Sequence, residues 1–332
     1  MAQTTTYNLT GLRENLTNYL TILEPETTPK LSLLPKTEAP KQAFQEWQMD
    51  NLAAPSFGGV VDGLDVTNFQ NKAKSRARAG NYIQIFRQPW AVSTITELSD
   101  VAGISNEVAN AKDKSVRELK RSIESAIGSD NDRQADDGSV PFKMRGMGSW
   151  ISSSGPTDIA AAYRPAAAQV INTASGSFTE DVLNGVLQSQ AESVGAKRNL
   201  TLFAGPGLKR TISKFQRNVG GTQAGFFVTE PAADRELILA VDLYDGDMGV
   251  VNIILDFLSG ITSDSTDGAF FTGTSRYRGY CINPEEWGLG YLKGIEACEL
   301  PNLGGGRRGY VESICTLVCK NPKGSAKFYG TS

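Results

Sequence analysis

Between Ser105 and Ile127 the sequence runs SNEVANAKDKSVRELKRSIESAI, and no other stretch limits the possible folds so tightly. Ile104, Val108, Ala111, Ser115, Leu119, Ile123 and Ala126 recur at steps of three and four, so they share one helical face. Lys112, Asp113, Arg117, Lys120, Arg121 and Glu124 fill the opposite face. Asp113 and Arg117 lie four apart with the acid first, the favourable order for an exposed pair. Ser105 or Asp100 is placed to cap the start, and Gly128 stands just past the end. At about 1.5 Å per residue the helix is ~35 Å long, the width of a small domain. On pattern alone it is a surface helix lying on a sheet.

The residues before it narrow the reading. Residues 43–52, AFQEWQMDNL, alternate: Ala43, Gln45, Trp47 and Met49 point one way, Phe44, Glu46, Gln48, Asp50 and Leu52 the other. Residues 72–86 alternate more plainly, with Lys72, Lys74, Arg76 and Arg78 on one face and Ala73, Ser75, Ala77 and Ala79 on the other. The same faces continue through Tyr82, Gln84 and Phe86 against Ile83 and Ile85, a strand of roughly 45 Å. Paired antiparallel across the turn-rich residues 53–71, the two strands form a long ribbon in which Glu46 and Asp50 face the basic row. A lone two-stranded ribbon is marginal in water, so a partner subunit is expected to support it. The basic row is then an inter-subunit or nucleic-acid contact; a merely solvated strand face is the plainer alternative.

Residues 1–40 read as an arm. Thr, Asn and Pro dominate, a brief helix is expected at 9–23, and Pro25, Pro29, Pro35 and Pro40 break any regular structure between it and the ribbon. Such a segment has to lie on its own body or on a neighbour. Beyond the long helix, SFTEDVLNGVLQSQAESVG (177–195) is a second helix, with Ser177 and Glu180 as a capping box and Gly195 as its stop. A strand at 199–204 and a helix at 208–217 flank Gly205-Pro206-Gly207, which lacks phosphate-loop spacing. From residue 225 the pattern is β: strands at 225–230, 236–244, 249–258, 291–300 and 309–320, with turns at Asp245-Gly246, Gly288, Gly304–Gly306 and Asn321-Pro322. Asp242, Asp245, Asp247 and Asp256 form a loose acidic set whose spacing does not match a calcium loop.

Composition removes several function classes. The 332 residues contain no histidine, which excludes Ser-His-Asp and Cys-His nucleophile activation and His-bearing zinc sites. A formal net charge of -3 argues against a protein whose main task is wrapping nucleic acid. Cys281, Cys298, Cys315 and Cys319 fit reduced, buried thiols, and no metal or cofactor is expected. No apolar run reaches membrane-spanning length, and the first residues lack the pattern of a signal peptide, so synthesis and folding in a cytoplasm are expected.

Taken in order, the chain is an arm, a charged ribbon, a long helix, an α/β insertion and returning strands. With TPKLSLLPK (28–36), FQEWQMDNLAAP (44–55), VDGLDV (61–66), NYIQIF (81–86) and AGISNEVANAKDKSVRELKRSIESAI (102–127), this order resembles the major capsid proteins of tailed bacteriophages. The resemblance is close over about residues 25–130 and rests on element order beyond. It implies an α+β fold with an N-terminal arm (1–40), an extended β-ribbon loop (41–92), a peripheral domain with a spine helix (93–150), an axial α/β domain (151–285) and return strands of the peripheral domain (286–332). It implies a non-enzymatic shell protein, assembled in the host cytoplasm into the icosahedral head around a double-stranded DNA genome. The implied partners are further copies in hexamers and pentamers, scaffold and portal proteins, and packaged DNA on the inner face, with no membrane. The implied loop contacts are Lys72, Lys74, Arg76, Arg78, Glu46, Asp50 and Trp47. Some relatives link subunits through lysine and asparagine; no matching set is found, so no cross-link is expected. An encapsulin-type compartment shell, or a carboxylate-dependent enzyme or β-rich binding protein, remains the alternative.

Overall fold

The structure is a computed structural model and describes residues 27–67, 69–99, 101, 104–172, 178–215, 242–258 and 276–329. The first half of the chain gives α1 (Pro29–Leu33), β1 (Phe44–Met49), β2 (Ala77–Tyr82), β3 (Gln84–Val92), α2 (Thr94–Leu98) and α3 (Glu107–Ile127). Then come α4 (Met147–Trp150), β4 (Val170–Asn172), α5 (Glu180–Val194), β5 (Arg198–Ala204) and α6 (Pro206–Phe215). The chain closes with β6 (Leu243–Gly246), β7 (Gly249–Leu255), β8 (Gly279–Ile282), β9 (Trp287–Leu300), β10 (Arg307–Cys319) and β11 (Ala326–Tyr329).

The long helix forms, with Asn106 and neither Ser105 nor Asp100 as its cap: the Asn106 side chain accepts the Ala109 amide at 3.1 Å. Val108, Ser115, Leu119, Ile123 and Ile127 are buried, and Asp113 pairs with Arg117 at 2.7 Å. Glu124 departs from the expected polar face and is wholly buried. It sits one position past Ile123 and three before Ile127, on the edge of the apolar stripe, where an arm residue reaches it. The helix lies on a three-stranded antiparallel sheet of order β3-β10-β9. Along β3 the even positions Phe86, Trp90 and Val92 are buried beneath it, while Ile85, Arg87, Pro89 and Ala91 face outward.

A second sheet has six strands in the order β4-β11-β8-β5-β7-β6. β5 and β7 are parallel, as are β4 and β11; the other pairs are antiparallel. α5 and α6 cover it with a core of Leu183, Val186, Leu187, Leu202, Leu208, Ile212, Val251 and Phe328. The cap of α5 is Thr179, which accepts the Val182 amide; Ser177, expected in a capping box, lies outside the described residues. Gly195 ends α5 at φ 74°, a left-handed conformation that a Cβ would strain. β9 and β10 extend the sheet of β3, whereas β11 sits in the six-stranded sheet.

Three expected turns and breaks shift. Pro29 opens α1, because a missing amide costs nothing in the first turn of a helix. The β6–β7 turn falls on Asp247-Met248, since Gly246 and Gly249 pair, and not on Asp245-Gly246. Gly288 lies within β9, opposite Val318, where Pro35 and Thr37 of the arm press too close for a side chain. The helix at 9–23 and the strand at 225–230 lie outside the described residues, as does most of the one at 236–244.

Candidate functional site

The ribbon is shorter than its alternation suggests. β1 and β2 pair over six residues each, from Phe44↔Tyr82 to Met49↔Ala77. Strand 72–86 is not continuous. Residues 72–75 turn instead, because Asn71 captures the Ala73 amide with its side chain and the Lys74 amide with its carbonyl. At the other end Ile83 is buried at a junction, and the chain leaves the ribbon there to enter the three-stranded sheet as β3.

The ribbon is fastened at its base by polar contacts. Asn81 donates to the carbonyls of Leu317 (2.8 Å) and Arg145 (3.3 Å) and accepts the Arg145 amide at 2.7 Å. Thr316 donates to the Tyr82 carbonyl, and Arg133 donates to the Gly80 carbonyl at 2.9 Å while lying over the Phe44 ring. Gly80 is required here, since a Cβ would stand 2.6 Å from that ring. The Arg145 side chain is wholly buried, pairs with Asp132 (2.6 Å) and Asp158 (2.8 Å), and stacks on Trp150. Burial works to raise the Asp158 carboxyl, but the Arg145 guanidinium, helped by Arg133, outweighs it and holds the group below its ordinary value. Further along, the Tyr163 hydroxyl donates to the Ser75 carbonyl at 2.5 Å.

The residues expected to make contacts are placed unevenly. Lys72 and Lys74 lie in the turn; Arg76 and Arg78 come after it, and all four are exposed. Asp50 meets Arg76 at 3.6 Å across the ribbon, and a hydrogen bond from Ser75 holds its carboxyl below the ordinary range. Glu46 stands opposite Gly80, on the same face of the ribbon as Arg78, without an ion pair to it. Trp47 turns inward onto Trp150, with ring centroids 5.5 Å apart. Asp256, from the loose acidic set, pairs with buried Lys30 at 2.5 Å, and Asp242 pairs with Lys209. Among the described residues no group of three or more His, Cys, Asp or Glu is placed to hold a metal. Cys281 and Cys315 are wholly buried, and burial pushes their thiols up to about 12.

Charge patterning does not show the more telling feature. From Asp50 to Arg76 the described chain has no helix or strand, and its apolar side chains stand in solvent. Leu52 is 100% exposed, Phe57 99% and Phe69 84%; Val60, Val61, Leu64 and Val66 are exposed as well. A second apolar group, Ile95, Leu98 and Leu303, lies where α2 meets the β9–β10 turn beside the Glu97–Arg307 pair. The spacing of Leu52, Phe57, Val60, Val61, Leu64 and Val66 among glycines and aspartates was the available sequence signal: a hydrophobic loop too irregular to belong to the core. No described helix is long and apolar enough to cross a membrane.

Solved structures share this architecture over nearly their whole length. The chain is similar to the capsid of Cyanophage A-1(L), at TM-score 0.65 and 14% identity, covering 99% of both chains. It is similar to the capsid of an empty GTA particle, at TM-score 0.62 and 9% identity, covering 99% of this chain and 98% of that one. Mycobacterium phage Bobi matches at TM-score 0.60 and 10% identity over 100% of both chains. At these identities the likeness establishes the fold. A search among curated proteins finds no significant match. The family model of the SU10 major capsid protein matches residues 2–332. The chain therefore belongs to the SU10 major capsid protein family: it is a structural protein of the tailed-phage virion, a unit of the capsid shell and not an enzyme.

Proposed function

We propose that copies of this chain close into the icosahedral head around the double-stranded DNA of a tailed phage, and that residues 50–76 are the part of each copy that grips the next. The observation that carries this is the exposed apolar loop on a firmly anchored ribbon. An apolar side chain of this size gains about 1.5–3 kcal/mol on burial, so a neighbour that covers several of them holds the subunit strongly. Glu46, Lys72, Lys74 and Arg78 make no ion pair within the described chain, which leaves them for a neighbour. Arg76 and Asp50 already pair and fix the root of the loop, and Trp47 seats the ribbon on its own body.

In this reading the arm is 1–40, the extended loop 41–92, the peripheral domain 93–150 and the axial domain 151–285; residues 286–332 return to the peripheral domain, apart from β11. Scaffold and portal proteins and non-specifically held DNA complete the partner set. Charge reversal of Lys72, Lys74, Arg76 and Arg78 together is expected to abolish or derange assembly while the monomer still folds, as seen by electron microscopy and circular dichroism. Normal shells from that variant would sink the role given to the basic row. Nuclease-protected double-stranded DNA in native particles is the expected cargo.

A further inference from the structure

Lys30 belongs to the arm, yet its side chain is wholly buried. Its ammonium lies 2.5 Å from Asp256, just past β7, and 3.2 Å from Glu124 on α3, both also wholly buried. The Glu124 carboxylate accepts the backbone amides of Lys30 (2.9 Å) and Leu31 (2.7 Å), so it caps α1 as well. Asp256 accepts the Leu258 amide at 2.9 Å, and its own amide donates to Ala204 at the end of β5. Three segments remote in sequence meet at one ammonium: the arm, the long helix and the six-stranded sheet. Burial works to lower the Lys30 group, but the two carboxylates outweigh it and keep it charged.

Buried ion pairs of this kind are weak sources of stability, because desolvation offsets most of the attraction. What they supply is direction. Elsewhere the seam between the two sheets joins Phe203, Tyr280 and Ile282 to the core under α3. Past the end of that helix the part-exposed Asp130 pairs with Arg278 and Lys327, while the Tyr280 hydroxyl donates to the Gly128 carbonyl. The Lys30 cluster differs in being wholly buried. Apolar contact fixes separation far better than angle. In a subunit that tiles a closed surface, the angle between its two layers sets the angle between neighbours, and so the curvature.

We propose that Lys30, with Glu124 and Asp256, is a positioning cluster for assembly, holding the six-stranded sheet at one angle to α3 so that shells close at one size. The proposal rests on the reading of this chain as a shell subunit. The test is the double variant Lys30→Met/Asp256→Asn. It removes one positive and one negative charge, so the buried cluster keeps its net charge, and Glu124 keeps both amide donors. The expected result is a folded subunit, melting within a few degrees of the original, that yields particles of mixed diameter and open sheets in electron microscopy. Particles of one diameter, the same as the unaltered protein, would overturn the proposal. A second measurement, hydrogen exchange on the unaltered free subunit, does not depend on the variant folding. The amides of Lys30 and Leu31 are expected to open together with those of Asp256 and Leu258; exchange at Lys30 and Leu31 many-fold faster overturns it. An unaltered protein that forms no closed particle under any condition contradicts the shell reading itself, an outcome separable from both.

Discussion

Arg145 and its carboxylates show how single residues place the ribbon. The guanidinium is buried against Trp150, and Trp150 carries Trp47 of β1, so one ion-pair group sets where the ribbon stands. Asp158 has a folded pKa below its unfolded one. Its contribution is therefore fully present above the ordinary carboxylate value of about 4 and is lost as pH falls through the lowered folded value. Asp158→Asn is expected to lower the urea midpoint at pH 7, with the gap to the original protein narrowing toward pH 3. A gap independent of pH would show that the carboxylate charge is not what matters. None of this was legible in the sequence. Arg145 sits among polar turns, and nothing local announces that its guanidinium is covered by a tryptophan from the next turn. Lys30 was equally silent in a proline-rich arm, and only its partners at positions 124 and 256 explain it.

The long helix was legible because its signal is periodic and local. Its apolar residues repeat over five turns, and Leu119 and Ile123 are fully buried as that repeat requires. Leu119→Ala is expected to cost about 2–5 kcal/mol through the cavity it leaves. Asn106→Ala removes only the cap and is expected to cost about 1 kcal/mol. Chemical denaturation of the subunit would rank the two; an equal cost would mean the helix is held by its ends. The ribbon was half legible. Alternation correctly placed Gln45, Trp47 and Met49 on one face, but it also ran through 72–75, where Asn71 offers the backbone a turn. Period-two patterns register side-chain polarity and are blind to such local competition. They also ran across Ile83, where the chain changes sheets and the buried side chains switch from odd positions (Ala79, Asn81, Ile83) to even ones (Phe86, Trp90, Val92), so the two faces do not continue as expected.

For the whole molecule, the exposed loop and the anchored body divide two roles. The body folds on itself, and in the proposed assembly the exposed loop gains its burial from a neighbouring copy. Phe57→Ser with Phe69→Ser is therefore expected to leave the unfolding midpoint of the free subunit unchanged while lowering the yield of assembled particles at least tenfold by light scattering. A drop in the midpoint of the free subunit would place these rings against its own body. The anchoring of the ribbon also has a consequence in time. Asn81 is held by Leu317, 236 residues later, and β3 finds its sheet partner only in β10. Contacts so distant in sequence form late and slowly. A chain still on the ribosome, or cut short before β10, keeps the Arg133, Arg145 and Trp150 contacts but lacks the sheet partner and the Leu317 anchor that complete the seat of its ribbon. Fragments ending before β10 are therefore expected to be left out of the growing shell, which their absence from particles on co-expression with the full chain would check.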